Sequence, residues 1–433
     1  MQEKVSYLGT LLQSFPAGET AVRKLLDMIL GRKRIERLTE RIGAERVNER
    51  SAEVDLFKKL TLTEKIAGPA GVVSPEAAVL MYDGGRFQKT TQNEDSKTHW
   101  YEYKAGFCAA LEGRPDGVRA GENAPDPVPE VPKFLLNLDQ VGTLTREIGK
   151  KSADVPEPDE EFDNVATDNR ISLDNLSGLE ELLSFAESVP DAPSSKKSEK
   201  LRLSPRVIQR DVVASSKNSD LFGVQLAARA WLLGLFQAKR KACVGDGGSW
   251  LWTIWKHYFK PFGFVPILDV IHAVTYLYAA AMAGRTLREG GPVYRRWITW
   301  VWQGEVAKVI TELARWQEEL GLPKDDDGDT SPRKIVDRAL TYLQNQKSRM
   351  DYPRYRKLGL PITSSLMEST VKQLNRRIKG TEKFWSDDGG EAMLQMKADT
   401  LSDSDPLAEF WDRRQNQQTG HHRRCGRRTT TAV

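Results

Sequence analysis

Cysteine and histidine are scarce in this chain of 433 residues, with three of the first and five of the second. Cys108, Cys243 and Cys425 lie too far apart for a zinc knuckle or a disulfide framework, which points to a reducing compartment. Long apolar runs are missing as well. The longest, "VTYLYAAAMAG", is too short to span a bilayer, and the opening "MQEKVSYLGTLLQSF" lacks the basic-then-apolar order of a secretory leader. No Walker-type phosphate loop is present, so no nucleotide cofactor is expected. A cytoplasmic protein with no membrane partner is the expectation. Disorder throughout is excluded by a hydrophobic content of 39% with eleven tryptophans. The length predicts two or three structural units, one of them inserted in another.

The net charge of +4 is mild, but it is unevenly spread. Residues 154 to 191 carry twelve acids and one base, whereas 333 to 383 carry thirteen bases and four acids. The basic segment suits a polyanionic partner, and a solvated helix face is the alternative.

Two apolar runs end in the same way, "VLMYDGG" at 79–85 and "ACVGDGG" at 242–248. Each is short enough for a buried strand, and the glycines predict a sharp turn after it, which would put Asp83 and Asp246 at two strand tips. "FGFVPILD" predicts a third strand ending at Asp269. Between and after these runs come helical patterns, "SWLWTIWKHYF" and "VIHAVTYLYAAA". Strand, helix, strand, helix is the order of an α/β sheet.

The organisation follows from these patterns. Residues 1–70 form a helical N-terminal region that packs, dimerises or touches DNA. Residues 71–113 are the first part of a sheet domain, with "THWYEYKAGFCAAL" as a half-exposed strand. Residues 114–200, rich in proline, serine and acids, are an inserted, largely flexible excursion with a few short helices. Residues 201–284 resume the sheet domain, 285–350 are an all-helical insertion, and 351–412 complete the domain with a helix carrying Glu368 one turn in. Residues 413–433 are a disordered basic tail.

Two aspartates at strand tips and a glutamate on a helix suit a pair of divalent ions, because Mg²⁺ is a hard cation that takes oxygen ligands. Aspartate before glycine is also a common turn former, so the spacing alone leaves a structural role open. The ordered blocks "YDGGR", "HWYEYKAG", "VGDGGSWLW", "ILDVIHAV", "YRKLGLPITSSLMESTVKQLNRRIKG" and "FWSDDGGEAMLQMKA" cover over half the chain. Together they resemble bacterial insertion-sequence transposases of the ISKra type, relatives of the Mutator-like transposases.

The resemblance implies an α/β fold: an RNase H-like mixed sheet flanked by helices, with an all-helical insertion before the catalytic glutamate. It implies that Asp83, Asp246 and Glu368 hold two Mg²⁺ or Mn²⁺ ions and catalyse cleavage at transposon ends and strand transfer to target DNA. The related families also keep an aspartate three residues before a histidine, here Asp269 and His272. His272 would orient a phosphate or a catalytic carboxylate, or else be a buried partner of Asp269, and Asp269 could replace Asp246 as the second ligand. Lys372, Arg376, Arg377 and Lys379 are candidates for phosphate contacts, and Trp385 for stacking on a displaced base or for packing. The implied partners are terminal-repeat and target DNA and further copies of the chain, at the bacterial nucleoid. An inactive DNA-binding remnant and a purely hydrolytic nuclease are the alternatives. The chain departs from the family in having no cysteine before Cys108, where relatives often carry cysteine pairs suited to zinc.

Overall fold

The computed structural model describes residues 1–92, 98–114, 116–153 and 205–419. Six strands form one mixed sheet: β1 (Ala77–Lys89), β2 (Trp100–Leu111), β3 (Val207–Ser215), β4 (Arg240–Gly245), β5 (Val265–Leu268) and the two-residue β6 (Phe384–Trp385). Their order is β3-β2-β1-β4-β5, with β6 beside the far end of β1. The pairs β1–β2 and β2–β3 are antiparallel, and β4, β5 and β6 join in parallel.

β1 is buried along its first six residues, as expected of a central strand covered on both faces. β2 is also covered over most of its length, which corrects the expectation of a half-exposed strand. Its large residues alternate with small ones (Ala105, Gly106, Ala109), and the small positions admit helices on either side. β3 was not anticipated from the pattern, although Val207, Ile208, Val212 and Val213 supply the β-branched signal.

The helices are α1 (Gln2–Leu11), α2 (Phe15–Leu26), α3 (Arg32–Lys59) and α4 (Leu62–Ala67) ahead of the sheet. Next come α5 (Lys133–Leu136), α6 (Leu138–Ala153), α7 (Ser219–Leu232) and α8 (Ser249–Ile254), the last continued by a π turn over Trp255–Phe259. α9 (Val270–Met282), α10 (Leu287–Trp302), α11 (Val306–Leu320) and α12 (Pro332–Gln346) follow. The chain ends with α13 (Tyr352–Lys357), α14 (Ser365–Ile378), α15 (Asp387–Thr400) and α16 (Pro406–Thr419). None of the described helices is long and apolar enough to cross a membrane.

Strand alternation assigns the two faces of the sheet. Val79 and Met81 of β1, with Ala242 and Val244 of β4, enter one core with α9, α14 and α15, and the same core takes in Trp297, Leu313 and Val336 from α10 to α12. Leu80, Tyr82 and Cys243 face the other way, onto α7, α8 and the end of α3. The helical block at 285–350 thus has no core of its own.

Two boundaries move. The segment after residue 114 is packed as far as the end of α6: Arg356 pairs with Asp126, Trp302 donates to the Val128 carbonyl at 2.9 Å, and α6 lies on α9. The reason is that Leu135, Val141 and their neighbours carry enough apolar surface to join the main core. The flexible excursion expected through residue 200 falls, from 154 on, outside the described residues. Likewise α16 runs to Thr419, with Arg413 paired to Glu49 at 2.7 Å, and only 420–433 of the expected tail lie outside the described residues.

Candidate active site

β1 and β4 are parallel neighbours in which Met81 stands opposite Val244. Two residues further along are Asp83, which strand alternation puts on the face that carries Met81, and Asp246, just past the end of β4. α14 packs over this face of β1 and β2, with Met367 in the core and Glu368 next to it in the first turn.

Asp246 immediately follows β4, and its Oδ1 accepts the Gly248 N–H at 2.9 Å across a turn in which Gly247 has φ +104°. Asp83 is different. It lies in the middle of β1, paired with Ala105, and Gly84 and Gly85 continue the strand opposite Lys104 and Tyr103. The expected turn at Gly84 is therefore absent. The glycines make room instead: a Cβ on Gly85 would lie 2.2 Å from the Tyr103 ring. Tyr103 fills that space and donates its hydroxyl to Asn375 of α14 at 2.8 Å, which ties the glutamate helix to the sheet.

The electrostatics join these residues. Burial pushes the Asp83 carboxyl up, and the charge of Asp246 adds to it, as does that of Glu368; the Gly84 N–H, donating at 2.7 Å, and His272 act in the opposite direction. The result is a pKa of about 6. At His272 burial alone would lower the pKa, but Asp269 outweighs it, with help from Asp246 and Glu368, and holds the imidazole at about 9. The Nδ1 atom lies 3.6 Å from Asp269 Oδ2, a distance of ionic attraction and not of a hydrogen bond. His272 thus carries positive charge at neutral pH beside these carboxylates.

Asp269 has another task. Its carboxylate is fully buried and caps α9 through the Ile271 N–H at 2.7 Å; it also accepts the Ser364 N–H at 3.0 Å and the Ser364 hydroxyl. Its own N–H donates to the Gly245 carbonyl at 2.8 Å, and the next N–H, of Val270, to Ile362 at 2.9 Å. The residue stitches the end of β4 to the segment leading into α14. Both of its oxygens are thus engaged by donors of the chain itself.

The donor chemistry fits a hard divalent cation, since Asp246 and Glu368 are near enough to Asp83 to disfavour its charge. Among the described residues, no group of three or more His, Cys, Asp or Glu side chains is placed to hold a metal ion by itself. Mg²⁺ is usually held by one or two carboxylates together with water and substrate phosphate, so an open set is compatible with such an ion.

Of the expected phosphate contacts, Lys372 and Arg376 on α14 and Lys379 just after it are exposed. Arg377 is not. It is 2% exposed, donates through Nε to the Gly9 carbonyl at 3.0 Å, and lies over the rings of Phe15 and Trp385, and burial lowers its pKa to about 10. Trp385 is 5% exposed and donates to the Ile378 carbonyl, so it packs and has no face open to a base. The periodicity of α14 carried the signal for Arg377, because it continues the stripe of Met367, Thr370 and Leu374. Sequence reasoning missed Tyr103, Tyr342 and Gln346, all of which hold the site through hydrogen bonds. No family model matches the chain, and no curated protein is significantly similar to it.

Proposed function

We propose that the protein is a metal-dependent DNA transposase of the Asp-Asp-Glu type, built on an RNase H-like domain. The observation that carries the reading is the placement of Asp83 in β1 and of Asp246 just past the end of its parallel neighbour β4, with the helix of Glu368 packed on β1 and both Asp246 and Glu368 near enough to raise the pKa of Asp83. The strand order β3-β2-β1-β4-β5, with three antiparallel strands followed by two parallel ones, supports the RNase H-like assignment.

Asp83, Asp246 and Glu368 would hold Mg²⁺ or Mn²⁺. Two such ions, when bound, supply charge neutralisation to the attacking and leaving oxygens of an in-line displacement at phosphorus. The chain's own residues position the reactants. His272 places a positive charge beside the carboxylates, and exposed Lys372, Arg376 and Lys379 offer contacts to the DNA backbone. In the first reaction water displaces a 3′ oxygen at the transposon end; in the second the freed 3′ hydroxyl displaces an oxygen of target DNA, so each step forms one P–O bond and breaks one. Paired ends call for at least two copies of the chain.

The test is an assay of the full chain on duplex DNA bearing the sequences that flank its gene, with target plasmid and Mg²⁺ or Mn²⁺. Cleaved and joined product is expected, with at least about a 100-fold loss in Asp83→Asn and Asp246→Asn and unchanged salt-sensitive DNA binding. Cleavage without joining would identify a hydrolytic nuclease. Binding without cleavage would identify an inactive remnant.

A further inference from the structure

We infer that α12, in the helical block, is a brace for the turn that carries Asp246, with Tyr342 and Gln346 as its positioning residues. The inference rests on the reading of Asp246 as a metal ligand. Tyr342 and Gln346 are four residues apart and so share a helix face. The Tyr342 hydroxyl donates to the Asp246 carbonyl at 2.6 Å, and Gln346 Nε2 donates to the Gly247 carbonyl at 3.0 Å. Two successive peptide planes of the turn are thereby held from one helix.

Each brace residue is itself held. Tyr276 of α9 stacks on Tyr342 with ring centroids 3.8 Å apart and planes 10° from parallel. Arg349 donates to Gln346 Oε1 at 2.7 Å, which orients the amide with its nitrogen toward Gly247, and the Arg349 guanidinium lies 4.4 Å over the Trp252 ring. Gly247 fits closely as well, since a Cβ there would come within 2.8 Å of the Tyr342 ring. A turn with two glycines has the most backbone freedom to lose on ordering. Fixing its carbonyls from outside leaves the Asp246 side chain with one approach to the cleft, which is preorganisation of a ligand.

Tyr342→Phe in the full chain keeps the stacked ring and removes the hydroxyl alone. Hydrogen–deuterium exchange at Asp246, Gly247 and Gly248 should rise about tenfold, as for the loss of one hydrogen bond, with exchange in β1 unchanged. In the Mn²⁺ cleavage assay kcat should fall about tenfold with KM for DNA unchanged. Wild-type exchange at the turn, or a kcat loss that only follows a lowered melting temperature, overturns the inference. If Tyr342→Phe fails to fold, Gln346→Leu decides by the same exchange measurement. Faster exchange in a protein whose wild type cleaves no DNA upholds the brace and removes the transposase reading instead.

Discussion

At Asp83, burial and the charges of Asp246 and Glu368 outweigh the Gly84 N–H and the His272 charge, and the pKa of about 6 carries a consequence for stability. The folded carboxyl lies above its unfolded value of 3.8, so between the two the folded state binds more protons, and stability falls as pH rises through that window. Above pH 6 the full cost is present. Asp83→Asn should therefore melt higher than wild type at pH 7.5 in metal-free buffer, by on the order of 2 °C, with the difference vanishing near pH 4. Calorimetry at the two pH values checks this, and an equal or lower melting point at pH 7.5 would refute it. Asp83 and Asp246 stood out in the sequence, because short apolar runs ending in Asp-Gly-Gly are unusual enough to notice, whereas Glu368 lies in no such run and took its weight from the family resemblance. Which polar residues face inward was less legible: the same pattern of charges at 376 and 377 leaves Arg376 in solvent and buries Arg377.

Among the elements, α3 and α15 are joined by buried ion pairs and not by apolar contact alone. Arg46 meets Asp399 at 2.9 Å, and Arg50 meets Glu391 at 2.5 Å. Glu391 also accepts the Ser215 hydroxyl and the Ser216 N–H and hydroxyl, each at 2.7 Å, at the end of β3. Burial raises the Glu391 pKa, but Arg50 and these donors outweigh it, so the carboxylate stays charged. Removing its cation alone strands that charge. Arg50→Met should cost about 3–5 kcal/mol in urea unfolding, and adding Glu391→Met should restore more than half of it. A single variant as stable as wild type would show that the seam is held by packing. α3 was legible from its helical spacing, and α9 and α14 from theirs. Their pairing was not, since Arg46 and Asp399 are 353 residues apart. β3 was hidden because Arg210 and Asp211 interrupt its β-branched residues, and that aspartate is itself buried against Arg229 at 2.6 Å.

For the whole molecule, the shared core matters most. Val79 of the sheet, Trp297 of α10 and Val336 of α12 belong to one apolar cluster, so the helical block should not melt by itself. Calorimetry of the full chain should show one transition for the sheet and this block together, and residues 285–350 expressed alone should lack a cooperative transition. Two resolved transitions would contradict the single core. That 285–350 consists of helices without a strand was plain from composition and periodicity. That it lies on the sheet's own core was not, because periodicity reports that a face is apolar and never what covers it.

Gly85 has the smallest side chain of all, a single hydrogen. The ring of Tyr103 occupies the volume a methyl group would need, and its hydroxyl reaches Asn375, two turns of α14 beyond Glu368. One missing carbon on a strand thus sets how near the glutamate helix can settle, and its gauge is read out at an acid that the glycine never touches.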